Sequence, residues 1–171
     1  MATVTDVEQR RATGTVTDYA PLPLRLGVAY VVLVHGLGRF GVGPFAGTDV
    51  AGFAGFLASL GVPAPDVMAW VVTAVEVGGG VLLLLGLLTR LAAALIVADI
   101  SVALWLVQLP AGYPAAAAGI ERDLLLVLCA LTLVVVGAGR PSLDRALFGG
   151  SPVRRLLGRL GRPASTTPSD D

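Results

Sequence analysis

Three ionisable side chains stand inside otherwise apolar runs of this 171-residue chain, and they are its candidates for chemistry. Glu76 lies near the middle of Val67–Leu88, 22 residues without a basic group. Asp99 lies within Leu91–Leu109, two residues before Ser101, and His35 lies towards the end of a run that begins at Leu24. If these runs cross the roughly 30 Å hydrocarbon layer as helices, each charge costs several kcal/mol unless it is neutralised, paired or wetted. Counting inward at about 1.5 Å per residue puts His35 roughly 10 Å below the outer surface, Glu76 roughly 14 Å and Asp99 roughly 15 Å. Arg39 shares a helix face with His35, four residues on, and with Glu121 stands near the outer mouth. Polar groups in spans face the bundle interior, so these residues are expected to converge. Glu76, Asp99 and His35 are the catalytic, proton-handling candidates; Arg39, Glu121 and Gly79 are the substrate-contacting ones. Gly78-Gly79-Gly80, just after Glu76, would let a neighbouring helix backbone close in beside the acid.

Each residue also has a plainer role. Glu76 and Asp99 can serve as hydrogen bonds or ion pairs that fix helix register. His35 can partner an acid, and Arg39 with Glu121 can form a mouth ion pair that steadies the bundle. One histidine and one cysteine exclude a bis-histidine haem, a thiolate-held iron–sulfur cluster and an intrachain disulfide within one chain, and no metal site is expected. Cys129, in an apolar run, reads as packing. No phosphate-binding loop, zinc spacing or nucleophilic triad occurs.

The apolar runs that carry these groups are read as helices. A polar tail, residues 1–20, carries no signal-peptide core. A first span runs from Leu24 to about Val42, with Pro21 and Pro23 at its entrance and Arg25 snorkelling to the near interface. Thr48 or Asp49 caps a short helix with Phe53, Phe56, Leu57 and Leu60 on one face, ended by Gly61 and lying in the interface. The second span, Val67–Leu88, turns at Thr89-Arg90 directly into the third, Leu91–Leu109, which Pro110 stops. Residues 111–120 are read as loop. Glu121-Arg122-Asp123 then opens a fourth span, Leu124–Val136. The expected fold is an all-α integral membrane four-helix bundle over residues 21–147, followed by a basic and then polar tail, 148–171.

Composition agrees with that class. Only 14% of residues are charged, 55% are hydrophobic and mean hydropathy is +0.81, whereas a soluble domain carries about 25% charged residues. Net charge is zero, so no basic field for nucleic acid exists. With four spans, only Arg39 and Arg122 of twelve arginines fall on one side, so the positive-inside rule makes both termini cytoplasmic and the location the cell membrane. Trp70 and Trp105 both land near the outer interface, as aromatic-belt residues do.

Several motifs in order resemble the DoxX/DoxD-like family of small four-helix membrane proteins, over Leu24 to Leu147. They are Arg25-Leu26-Gly27; His35-Gly36-Leu37-Gly38-Arg39-Phe40; Leu60-Gly61-Val62-Pro63; Glu76-Val77-Gly78-Gly79; Leu85-Gly86-Leu87-Leu88-Thr89-Arg90; and Gly137-Ala138-Gly139-Arg140-Pro141-Ser142-Leu143-Asp144. Glu121 also stands where the family tends to place an acid. Arg39 replaces the family's usual Lys and Ala138 stands where Pro is common, so a role that needs a titratable Lys is not carried over. The resemblance implies a membrane subunit tied to redox chemistry. Some relatives belong to thiosulfate:quinone oxidoreductase, others are membrane partners of redox-defence enzymes, and many have no assigned activity.

The resulting expectation is a subunit that binds a quinone or similar lipid-soluble redox partner inside the bundle. Its partners would be the bilayer, a quinone or redox proteins, and a second copy of the chain. A non-catalytic scaffold that anchors soluble redox enzymes is the alternative. A small transporter has less support, because no internal repeat is visible.

Overall fold

Proline is welcome in a helix's first turn, where its missing amide has no partner to lose, and Pro21 begins α1, Pro21–Gly38, in the computed structural model. The structure describes residues 18–44, 47–113 and 117–148; of the tails expected at 1–20 and 148–171, all but residues 18–20 and 148 lie outside these described residues. Gly41 and Gly43, both at positive φ, follow α1, so the first span starts and stops earlier than Leu24–Val42. Asp49 caps α2, Val50–Ser59, accepting the Gly52 amide at 2.8 Å, and Gly61 at φ +74° turns the chain away. Next come α3, Pro65–Leu85, and, after the left-handed turn residues Gly86 and Leu88, α4, Thr89–Ala103.

Two boundaries differ from the sequence reading. Pro110 does not stop the third span: α4 widens into a π turn at Leu104–Gln108 and continues through Leu109–Ala111. The wider turn accommodates a proline whose ring would crowd the carbonyl four residues back. The helix at the place of the expected fourth span, α5, runs Ala117–Val136, so the Glu121-Arg122-Asp123 triplet lies inside it and not at its first turn. Ala117 and Ala118, strong helix formers, carry the helix past the expected loop. A short α6, Leu143–Phe148, closes the described chain.

The described residues form an all-α membrane bundle without strands. Pro21–Gly38, Pro65–Leu85 and Thr89–Ala111 are long and apolar enough to cross a membrane; α5 packs beside them with its charged triplet. Small residues make the contacts. A Cβ on Gly80 would lie 3.1 Å from Val32, where α1 meets α3, and one on Gly79 would lie 3.2 Å from Ile96, where α3 meets α4. Val28, Ala29 and Val32 of α1, Leu83 of α3, Ile96 of α4 and Leu133 of α5 fill the centre. α2 lies on α3 through Ala54, Leu57 and Ala69.

One end of the bundle is knotted together by polar staples. Arg25 does not snorkel: it is 2% exposed and donates from Nη1 to the Ala138 carbonyl and from Nη2 to the Pro141 carbonyl, each at 2.7 Å. Gly137 and Gly139, both at positive φ, break the helix and free those carbonyls to accept from Arg25. Asp144 of α6 accepts the Leu88 and Thr89 amides at 2.7 and 3.0 Å and so caps α4 from another helix. Arg90 reaches the Val135 carbonyl at 3.0 Å, and Arg145 pairs with Asp18 at 2.9 Å.

Candidate functional site

The opposite end holds the ionisable residues. Gly36 lets α1 close on α3 beside Glu76: a Cβ there would lie 3.0 Å from Glu76 Cβ and 3.2 Å from the Val77 amide nitrogen. Just beyond, Arg39 at the end of α1 reaches across to form an ion pair with Glu76, and both side chains are 12% exposed. The same guanidinium donates to Thr73 Oγ1 at 3.3 Å and lies 4.0 Å from the centre of the Phe53 ring. Arg39 thus ties α1 to α3 by charge and to α2 by a cation–π contact. Thr73 is oriented in turn by donating to the Ala69 carbonyl at 2.7 Å.

His35 stands one turn before Arg39 and donates from Nδ1 to the Val31 carbonyl at 2.8 Å. In a neutral ring that makes Nε2 the acceptor nitrogen. Asp99 comes from α4. All four residues line one cavity of about 220 Å³. Its remaining wall is largely apolar: Phe53, Phe56, Leu57 and Leu60 from α2, Leu106 and Val107 from the π turn, and Leu126 from α5. Three spans and the short helix therefore bring together His35, Arg39, Glu76 and Asp99.

Glu121 and Gly79 lie elsewhere. Glu121 accepts the hydroxyl of exposed Tyr113, a bond that pushes the Tyr113 phenol above its ordinary value, and it makes no mouth pair with Arg39. Arg39 is taken by Glu76 instead. Gly79 faces Ile96 at the α3–α4 contact. In their place the cavity has Arg122 and Asp123, ion-paired at 2.8 Å, together with Gln108. Helical geometry explains the exchange. Two residues rotate a helix by about 200°, so Glu121 and Asp123 face opposite ways. Asp123 shares its face with Leu126, Ala130 and Leu133, at i+3, i+7 and i+10, and is 4% exposed. That spacing is visible in the sequence once the helix start is placed at Ala117. Gln108 carried no such signal, because the π turn shifts its register.

Chemically, the cluster can hold a polar ring by hydrogen bonds and exchange protons through two carboxyl groups and an imidazole. Among the described residues, no group of three or more His, Cys, Asp or Glu side chains is placed to hold a metal ion.

The DoxX family model matches residues 20–109, the stretch that supplies His35, Arg39, Glu76 and Asp99. The chain belongs to the DoxX family. Over 133 residues it is 33% identical to a Bacillus subtilis (strain 168) protein named "Putative oxidoreductase CatD", covering 78% of this chain and 90% of that protein. Over 129 residues it is 33% identical to an uncharacterized protein of Haemophilus influenzae (strain ATCC 51907 / DSM 11121 / KW20 / Rd), covering 73% of this chain and 88% of that one. No solved structure matches the chain. Within the matched stretch, α1, α3 and α4 supply the charged residues of the cavity and α2 its apolar wall, while α5 adds Arg122 and Asp123.

Proposed function

We propose that this DoxX family protein is the membrane subunit of a quinone-linked redox system and holds a quinone or similar lipid-soluble ring in the cavity between α1, α2, α3, α4 and α5. The observation that carries the reading is the meeting of His35, Arg39, Glu76 and Asp99, from three helices, in one cavity whose remaining wall is largely apolar. A relative named as an oxidoreductase supports the redox assignment.

Size favours a headgroup over a whole lipid. About 220 Å³ is below the roughly 300–1,000 Å³ of pockets that enclose drug-sized ligands. A ring fits, with its tail in the bilayer. Arg39 neutralises Glu76 and keeps the pair fixed by Thr73 and Phe53, so Asp99 and His35 are the groups on which protons come and go. Oxidising a quinol releases two protons and two electrons. Asp99 and His35 would take the two protons, and a redox protein bound at the membrane would take the two electrons.

In this reading the protein sits in the cell membrane with both termini in the cytoplasm and the cavity towards the outer side. Arg90, Arg140 and Arg145 support that orientation, since all three gather at the end stapled by Arg25 and Asp144. A scaffold that anchors soluble redox enzymes is the second reading, and the internally satisfied Arg39–Glu76 pair favours it.

The test is extraction. Protein purified in mild detergent from native membranes should release quinone on solvent extraction, close to one per chain, and Asp99→Asn should release far less. A quinone-free wild type that still captures redox proteins would replace this reading with the scaffold.

A further inference from the structure

The helix that carries Asp99 departs from regular geometry where it meets the cavity. Across Leu104–Gln108 it opens into a π turn, closed by the Leu109 amide on the Leu104 carbonyl five residues back. Such turns are rare and gather at functional sites. Here the widening brings Leu106, Val107 and Gln108, three residues in succession, onto the cavity wall. In a regular helix three successive side chains sweep about 200° and one would face away.

Gln108 is the one carboxamide among the described lining residues. Its head lies directly against Gly119 of α5: a Cβ at Gly119 would sit 2.6 Å from Gln108 Cδ and 2.8 Å from Nε2. Only glycine leaves room for the amide there. Among the described residues no protein group hydrogen-bonds that amide, which retains both a donor and an acceptor.

We propose that Gln108 is a ligand-binding residue of the cavity, and that the ligand carries two oxygen functions, one met by the His35/Asp99 cluster and the other by this amide. The inference rests on the cavity reading above and sharpens it. Asp99 and Gln108 are nine residues apart, about 13 Å along the helix, and glutamine side chains lean back towards the helix start. Hydrogen bonds of about 2.8 Å at each end of a para-dioxygenated ring take up much of the span that remains. A ring with a single polar end leaves Gln108 unused.

The experiment titrates the detergent-purified full chain with two probes, a short-tailed benzoquinone and the matching short-tailed phenol, by calorimetry. Gln108→Leu should weaken the benzoquinone tenfold or more and the phenol less than twofold, with the melting temperature close to wild type. Gly119→Ala, which keeps Gln108 but displaces its head, should show the same selective loss. Equal losses for both probes, or none, in both variants would overturn the role of Gln108 while leaving the cavity reading intact. Wild-type protein that binds neither probe would overturn both.

Discussion

Arg39 is held on three sides, by the Glu76 carboxylate, the Thr73 hydroxyl and the Phe53 ring, and both members of the ion pair are largely buried. Removing one member of a buried ion pair leaves the other charge stranded, at a cost of about 3–5 kcal/mol. Arg39→Met should therefore destabilise the protein by about 3 kcal/mol, measured by unfolding in detergent. Arg39→Met combined with Glu76→Gln should recover most of the loss; additive losses would mean that the pair is not coupled. At this scale the four converging residues were legible, because an ionisable side chain in an apolar run stands out whatever its partner. Pairing was not. By position along the chain Arg39 and Glu121 can pair at the mouth, whereas a rotation of two residues along α5 turns Asp123 inward and Glu121 outward. Arg25 misled for a similar reason: its place near a helix end suggested solvent, yet two carbonyls from a distant loop hold it inside.

The helices themselves depend on where glycine is needed and where it is idle. Gly36 and Gly78 belong to neighbouring helices and look alike in sequence. A Cβ on Gly36 would meet Val77 Cγ2 at 2.7 Å and backbone at 3.2 Å, whereas one on Gly78 would meet nothing within 4 Å. Gly36→Ala should cost about 1–3 kcal/mol, and Gly78→Ala should be neutral or stabilising by up to about 1 kcal/mol. Thermal unfolding of both variants checks the contrast, and equal effects would contradict the α1–α3 approach. Asp144 caps a helix to which it does not belong, so Asp144→Ala should lower stability by about 1 kcal/mol without changing ligand affinity. Helix existence was readable from hydrophobic run length. The ends were less so, because Pro110 and the acidic triplet are stop and start signals that a π turn and two alanines override.

The whole molecule is polarised. One end is closed by Arg25, Asp144, Arg90 and the Asp18 pairs; the other opens into the charged cavity beneath α2. Several of the motifs behind the family resemblance, including Leu85–Arg90 and Gly137–Asp144, serve the closed end, and the His35–Arg39 and Glu76 motifs serve the open one. In a Cys129→Ser background, Val42→Cys should react with an impermeant maleimide on intact cells and Leu147→Cys only after lysis. The reverse pattern would invert the orientation. The central claim is that the His35/Arg39/Glu76/Asp99 cavity binds a lipid-soluble redox ring, and its most direct measurement is calorimetric titration of the purified chain with a short-tailed benzoquinone. Saturable one-to-one binding, weakened at least tenfold by Asp99→Asn and by Glu76→Gln in folded protein, is the predicted result; no saturable binding to the wild type, or unchanged affinity in both variants, would contradict it.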